Sequence, residues 1–345
     1  MRKWNFGIIG AGLIADFHAR AIQSLPNTRL AGICGTNRAK AESLSVKYGC
    51  NVFSDYDTLL ASPEIDIVTI ATPSGAHLEP AIAAAAMGKH VLCEKPLEIS
   101  SQRIDRMIAA HEKAGTRLGG IFNYRYHETL KYVKAAVDGG RFGTITCASI
   151  FVPWWRADTY YNDSWHGTLK MDGGGALINQ AIHMIDILLY LMGEPESVQA
   201  YTATLGHQIE AEDTATAIIR FKSGALGIIY GTTASWPGQY RRIEITGTHG
   251  TVIQEENKFR LWSFREMTEA DNEIISGFSG NQGGGGVSDP AAIPFEPHAR
   301  NIDAFLRAVE SGQSFELDAH EARKAVDLVL AVYRSAAEGR IYYFK

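Results

Sequence analysis

An apolar run at residues 6–9 opens into Gly10-Ala11-Gly12-Leu13-Ile14-Ala15, and residues 16–24 can continue as a helix. A strand, then G-x-G-x-x-A, then a helix is the context in which this spacing binds a dinucleotide. Gly10 lets the chain turn sharply off the strand. Gly12 removes the Cβ that would hold a pyrophosphate away from the backbone, and Ala15 keeps the helix close to the sheet. The helix start at Leu13 and Ile14 offers unpaired N–H groups and a positive dipole end to the phosphates. The motif alone recurs by chance; its place in the first strand, ahead of further βα units, gives it force.

Those units follow directly. Residues 29–34 read as a strand, 38–48 as a helix, and 65–71 as a buried strand ending at Thr72-Pro73-Ser74. An alanine-rich helix at 76–87 stops at Gly88, and a short strand at 90–93 leads into Glu94-Lys95-Pro96. A helix at 100–114 and a strand at 117–122 complete the series. Strands alternating with helices predict a parallel sheet covered on both faces, a Rossmann-type domain over residues 1–122. From residue 123 the pattern changes. A helix at 128–137 precedes an alternating strand at 144–152, an aromatic loop at 153–166 and a glycine-opened helix at 174–192. Strands are expected at 197–205, 214–221, 225–232, 241–247, 251–254 and 259–263. Consecutive strands with turns between them predict a mostly antiparallel sheet, so residues 123–345 read as an α+β domain. The closing helices at 299–310 and 318–337 are expected to pack back on the body. The stretch GNQGGGG at 280–286 is too glycine-rich for regular structure and reads as a loop near a ligand.

Composition narrows the function classes. The 345 residues suffice for two cores, and 46% hydrophobic with 21% charged residues describes a globular protein. A net charge of -5 gives no reason to expect nucleic acid or an anionic membrane as partner. No apolar run approaches the roughly 20 residues that span a bilayer. The four cysteines form no C-x-x-C pair, and the chain runs straight into a strand without a signal-type segment. Reduced thiols in a cytoplasmic protein are the expectation.

Four stretches carry chemistry. An acid at the end of the second strand would bond the ribose 2′-OH of NAD; here Gly35-Thr36-Asn37-Arg38 follows instead. Thr36 and Asn37 can hydrogen-bond a 2′-phosphate and Arg38 can pair with it, which favours NADP; Arg38 as the start of a solvated helix face fits equally well. Lys95 lies at the C-terminal end of a strand, where open α/β sheets bind ligands, and can stabilise an alkoxide; an exposed surface lysine is the plainer reading. Asn179, His183 and Asp186 form a polar stripe on an otherwise apolar helix, either an acid/base histidine with its orienting neighbour or a satisfied core histidine. The loop at 153–166 concentrates Trp154, Trp155, Arg156, Tyr160, Tyr161, Trp165 and His166, which suits carbohydrate or, as readily, an aromatic plug or subunit contact. No grouping has metal-ligand spacing, and no G-x-S-x-G elbow is present.

Taken in order, GIIGAGLIADFHARAI, IVTIATPSGAHLEPAIAAAAMGKHVLCEKPL and GGGALINQAIHMIDILLYLMG resemble the Gfo/Idh/MocA family, the glucose–fructose oxidoreductase and inositol dehydrogenase group. The resemblance spans nearly the whole chain and implies a Rossmann domain followed by an α+β domain with a large, mostly antiparallel open sheet. It implies that this second domain binds substrate and mediates homodimers or homotetramers. By motif, Lys95 bonds the reacting oxygen and His183 is the acid/base. Cofactor contacts are implied for residues 10–15, Thr72, Pro73, His77 and Glu94, with Asn123 and Arg125 near the nicotinamide or substrate. The chain departs at Asn179, where many members carry an acid; Asn179 can bond a substrate hydroxyl but cannot raise the histidine's pKa, and Asp186 or Asp172 would have to substitute.

The expected function is hydride transfer between NAD(P), with a lean to NADP, and a carbinol carbon of a sugar, sugar derivative or cyclitol. Two alternatives stand beside it. One is a glycosidase that retains NAD and acts by transient oxidation and elimination; the other is a non-catalytic dinucleotide sensor.

Overall fold

A computed structural model describes residues 2–162, 164–279 and 294–345; the glycine-rich stretch at 280–286 lies outside them. The first third of the chain builds a six-stranded sheet from β1 (Trp4–Ile9), β2 (Thr28–Cys34), β3 (Asn51–Val52), β4 (Ile67–Ile70), β5 (His90–Cys93) and β6 (Leu118–Gly120). The order is β3-β2-β1-β4-β5-β6, with every pair parallel. All four residues of β4 are buried, as a strand covered by helices on both faces must be. The order reverses between β1 and β4, so the crevice beyond their C-terminal ends is the ligand position of this topology. Helices α1 (Leu13–Ser24), α2 (Arg38–Tyr48), α3 (Tyr56–Ala61), α4 (Leu78–Ala86) and α5 (Ser101–Ala114) join the strands. The short α3 carries too few residues for a periodic signal; it starts on a capping box between Asp55 and Thr58.

The second sheet has eight strands: β7 (Ile145–Pro153), β8 (Pro195–Ala203), β9 (Thr214–Phe221), β10 (Leu226–Thr232), β11 (Arg242–Gly247), β12 (Gly250–Glu255), β13 (Lys258–Phe264) and β14 (Tyr342–Tyr343). Their order is β13-β12-β11-β7-β10-β9-β8-β14, antiparallel throughout except between β7 and β10. Along β9, Ala215, Ala217, Ile219 and Phe221 face the core while Ile218 is exposed, the alternation of a sheet covered on one face. Helix α6 (Glu128–Asp138) precedes this sheet. The glycine-opened helix is not one regular element, because Ala176–Ala181 are π-helical and only then continue as α7 (Ile182–Met192). The apolar α7 packs on β7. Helix α8 (Glu269–Gly277), absent from the sequence reading, opens on a capping box between Thr268 and Asp271.

By internal contacts the chain forms two units. One comprises Met1–Asn123, Lys170–Gly173 and Pro294–Val326; the other comprises Tyr124–Leu169, Gly174–Ile293 and Asp327–Lys345. In the first unit, α9 (Glu296–Ser311) packs on α1. The last helix, α10 (Ala319–Glu338), precedes β14. Among the described residues no helix is long and apolar enough to cross a membrane.

Candidate active site

In the first unit, the turn after β1 needs glycine at its first position. Gly10 has φ +114, and a Cβ there would lie 2.4 Å from the Ala71 carbonyl oxygen. Gly12 is the N-cap of α1 and donates no side-chain cap; among the described residues nothing lies within 4 Å of a Cβ built on it. Ala15 is fully buried against the sheet, while Leu13 is exposed and Ile14 half-buried. The first N–H groups of α1 therefore remain open to a phosphate, and the cradle fits a dinucleotide.

Beyond β2, Thr36, Asn37 and Arg38 are all exposed. Asn37 caps α2 by accepting the Lys40 N–H at 3.1 Å. Arg38 pairs with Glu42 at 2.8 Å on the solvated helix face, an exposed pair worth a few tenths of a kcal/mol and easily exchanged.

The turns after β4 and β5 are tied together by His77. Its Nε2 lies 3.0 Å from the Thr72 carbonyl, and its Nδ1 lies 3.0 Å from that of Pro96 and 3.3 Å from that of Leu97. Burial lowers its pKa and keeps it neutral near pH 7. His77, implied as a cofactor contact, thus faces backbone carbonyls with both ring nitrogens, donates from the one that carries its proton, and serves as a strut beneath the Thr72-Pro73 turn.

Glu94 is the hub of this end of the sheet. Its Oε1 lies 2.8 Å from His18 Nε2 and 3.9 Å from His298 Nε2, and its Oε2 accepts the Lys95 N–H at 3.1 Å. Behind these, His18 Nδ1 meets Thr69 Oγ1 at 3.1 Å, and His298 Nδ1 meets Asn123 Nδ2 at 3.3 Å. Burial would raise the Glu94 carboxyl, but the His18 hydrogen bond and the charges of His18, His298 and Lys95 outweigh it and hold it at about 2. Burial pushes His298 down to about 4, so it is neutral at pH 7. Lys95 is half-buried on this platform, and its peptide bond to Pro96 is cis. Neither His18 nor His298 stood out in sequence, because their partner lies 76 residues from one and in a different element from the other.

In the second unit, His183 is buried and stacks on Tyr124, ring centroids 4.3 Å apart and 24° between planes. The Arg241 guanidinium lies 3.8 Å from the Tyr124 ring centroid and pairs with Glu256 at 3.1 Å. Asp186, considered as a substitute orienting acid for His183, accepts from Arg125 on both its oxygens, at 2.6 and 2.8 Å. Arg125, implied beside the nicotinamide or substrate, is by the same contact a buried brace between the start of this unit and α7. Asn179 is half-buried in the π-helical segment, and Asp172 is buried in the first unit.

The feature that places Asn179 and His183 was invisible in sequence. Glu212 accepts the Gly175 N–H on Oε2 at 2.9 Å, the Leu177 N–H on Oε1 at 2.9 Å and the Tyr333 hydroxyl at 2.9 Å, while its carbonyl accepts the Ala176 N–H at 3.0 Å. One residue therefore caps the start of the segment that leads to His183. Burial pushes the Glu212 carboxyl up to about 7 against these donors.

The aromatic loop folds into a nest. Trp154 and Arg156 are buried, with the Arg156 guanidinium 5.0 Å from the Trp154 ring and 5.6 Å from that of Tyr160. Tyr161 donates to Thr233 Oγ1 at 2.8 Å, and Trp165 stacks on His166 with centroids 4.0 Å apart. A cavity of about 440 Å³ opens here, lined by Tyr161, His166, Thr168, Gln208, Ile209 and Glu210.

Known proteins match this chain along its length. Residues 4–121 match the profile described as the oxidoreductase family, NAD-binding Rossmann fold, and residues 130–253 match the GFO/IDH/MocA C-terminal domain. Inositol 2-dehydrogenase of Rhizobium meliloti is 28% identical over 349 residues, covering 97% of this chain and 98% of that protein. The 2,7-anhydro-N-acetylneuraminate hydratase of Escherichia coli is 29% identical over 256 residues, covering 72% of this chain and 66% of that protein. Among solved structures, the WlbA dehydrogenase from Bordetella pertussis, in complex with NADH and UDP-GlcNAcA, superposes with a TM-score of 0.92 at 34% identity, covering 100% of this chain and 98% of that one. With both halves matched in order and a Rossmann sheet followed by a mostly antiparallel one, the chain belongs to the Gfo/Idh/MocA family of NAD-binding oxidoreductases.

Proposed function

We propose that this chain transfers a hydride between a nicotinamide cofactor and a carbinol carbon of a sugar, sugar derivative or cyclitol. The observation that carries the reading is the Glu94–Lys95 platform: a buried, ionised carboxylate fixes the backbone of a half-buried lysine in the unit that holds the G-A-G-L-I-A turn. The nicotinamide, when bound, supplies the hydride acceptor or donor. Residues 10–15 hold the pyrophosphate against the start of α1. Lys95 bonds the reacting oxygen and stabilises the negative charge that develops on it. His183, oriented by its stacking on Tyr124, exchanges the hydroxyl proton, and Asn179 bonds a substrate hydroxyl. Trp154, Arg156, Tyr161 and Trp165 supply ring faces and donors for the rest of the sugar.

NADP is the favoured cofactor, since no acid follows β2 and Arg38 is held only by an exposed partner. Nucleotide-linked sugar acids head the substrate screen, because the WlbA structure of highest likeness reported above carries one. Self-association is expected through the outer face of the second sheet, where Tyr201, Ile218, Leu226 and Ile228 are exposed and Ile218 pairs directly with Ile228.

The test is a panel of sugars, cyclitols and nucleotide sugars incubated with NADP or NAD, following nicotinamide absorbance. Turnover is expected with at least one member, and Lys95→Ala should then lower kcat by about 100-fold or more while cofactor still binds. Unchanged turnover in that variant removes Lys95 from the mechanism. A reaction of the kind named for the hydratase relative would instead convert substrate with no net change in absorbance.

A further inference from the structure

We infer that His18 is a positioning residue for hydride transfer: from the cofactor-binding helix α1 it holds the Glu94 carboxylate that fixes the backbone of Lys95. The inference rests on the role given to Lys95 above.

His18 is completely buried, five residues beyond Leu13 on α1, the helix whose first turn is the phosphate site of the function proposed above. Both its nitrogens are used. A carboxylate can only accept, so Nε2 carries the proton toward Glu94 Oε1 at 2.8 Å, and Nδ1 accepts from the Thr69 hydroxyl at 3.1 Å. The second oxygen of Glu94 is the acceptor for the Lys95 N–H. One helix thus sets both the phosphate end of the cofactor cradle and the backbone of the residue that meets the reacting oxygen.

A space-filling role would not require this chemistry. A leucine of similar volume would fill the site, but it would leave the buried Oε1 of Glu94 without its donor and so favour uptake of a proton by the carboxyl. The ionisable groups that face Glu94 are His18 from α1, His298 from α9, Lys95 from its own turn, and Cys93 and His77 around the strand end. Of these, His18 alone donates a side-chain hydrogen bond to the carboxylate. Without His18, burial dominates, Glu94 protonates nearer the working range and its hold on the Lys95 N–H weakens.

The experiment compares His18→Leu, His18→Gln and wild type in the holoenzyme, on whichever substrate the panel identifies. His18→Leu should lower kcat about 10-fold or more, change the sugar KM and the NADPH Kd by less than about 3-fold, and move the acid limb of the kcat profile up by about one pH unit or more. His18→Gln, whose amide reaches Glu94, should restore most of kcat and return the acid limb toward wild type. If His18→Leu does not fold, His18→Asn decides, because its shorter amide keeps Thr69 but falls short of Glu94 and should show the same acid-limb shift. A wild-type pH profile in the leucine or asparagine variant overturns the inference, as does failure of glutamine to rescue. In a Lys95→Ala background, His18→Leu should add no further loss. A fully active Lys95→Ala would sink the reading of Lys95 itself, whereas an inactive Lys95→Ala beside an unaffected His18→Leu would sink only the role of His18.

Discussion

Two glycine-rich starts of helical segments look alike in sequence and differ in what lies against them. In G-A-G-L-I-A at residues 10–15, no described residue lies within 4 Å of a Cβ built on Gly12, and among the described residues no side chain caps α1. In G-G-G-A-L-I at residues 173–178, a Cβ on Gly174 would lie 2.3 Å from the Tyr333 hydroxyl, and one on Gly175 would lie 1.8 Å from the Glu212 carbonyl oxygen. The second turn is filled by the chain itself: the Glu212 carboxyl accepts the Gly175 and Leu177 N–H groups. Glycine marks where something must come close to the backbone; whether that is a ligand or the chain itself depends on what the fold brings there.

The sharpest way to break the comparison is Gly175→Ala. A methyl driven into a backbone carbonyl cannot be relieved by a side-chain rotation, so chemical denaturation should show a loss of more than about 3 kcal/mol or no folded protein. A near-wild-type midpoint would mean that the Glu212 cap is loose.

Next in size is the pH dependence of that cap. Glu212 has its folded-state pKa raised to about 7 from 4.5. The stability that comes from holding its proton is therefore fully present below pH 4.5 and lost as pH rises toward 7. Glu212→Gln, a permanent stand-in for the protonated form, should gain on wild type by about 3 kcal/mol across that window and by nothing further above it. A difference flat from pH 4.5 to 7 would show that the carboxylate is ionised throughout.

Smallest is the edge of the first turn. Arg38→Ala should weaken NADPH by about tenfold and leave NADH unchanged, read from nicotinamide fluorescence. Equal effects on both cofactors would return Arg38 to the solvated face of α2.

The same comparison explains what could be read from the chain alone. The strand–turn–helix of residues 4–24, the acid-free end of β2 and the Glu94-Lys95-Pro96 turn were legible because each is local, with its meaning in consecutive residues. The roles of Glu212 and His18 were not. Glu212 acts on Gly175 37 residues away, and His18 acts on Glu94 across 76. Periodicity correctly marked an apolar helix around His183 but could not show the π-helical turns at Ala176–Ala181 or that Arg125 would pair with Asp186. Tyr124, which stacks on His183, carried no signal because aromatic stacking has no sequence spacing of its own.

The most direct measurement is a titration of wild type and Gly12→Val with NADPH and NADH, on protein freed of bound nucleotide, following nicotinamide fluorescence. Wild type should bind, NADPH more tightly. The valine fills space that no described residue occupies, so Gly12→Val should melt like wild type while its Kd for both cofactors rises by about 100-fold or more. Unchanged affinity in Gly12→Val would contradict the assignment of residues 10–15 as the cofactor cradle and, with it, the distinction between the two turns.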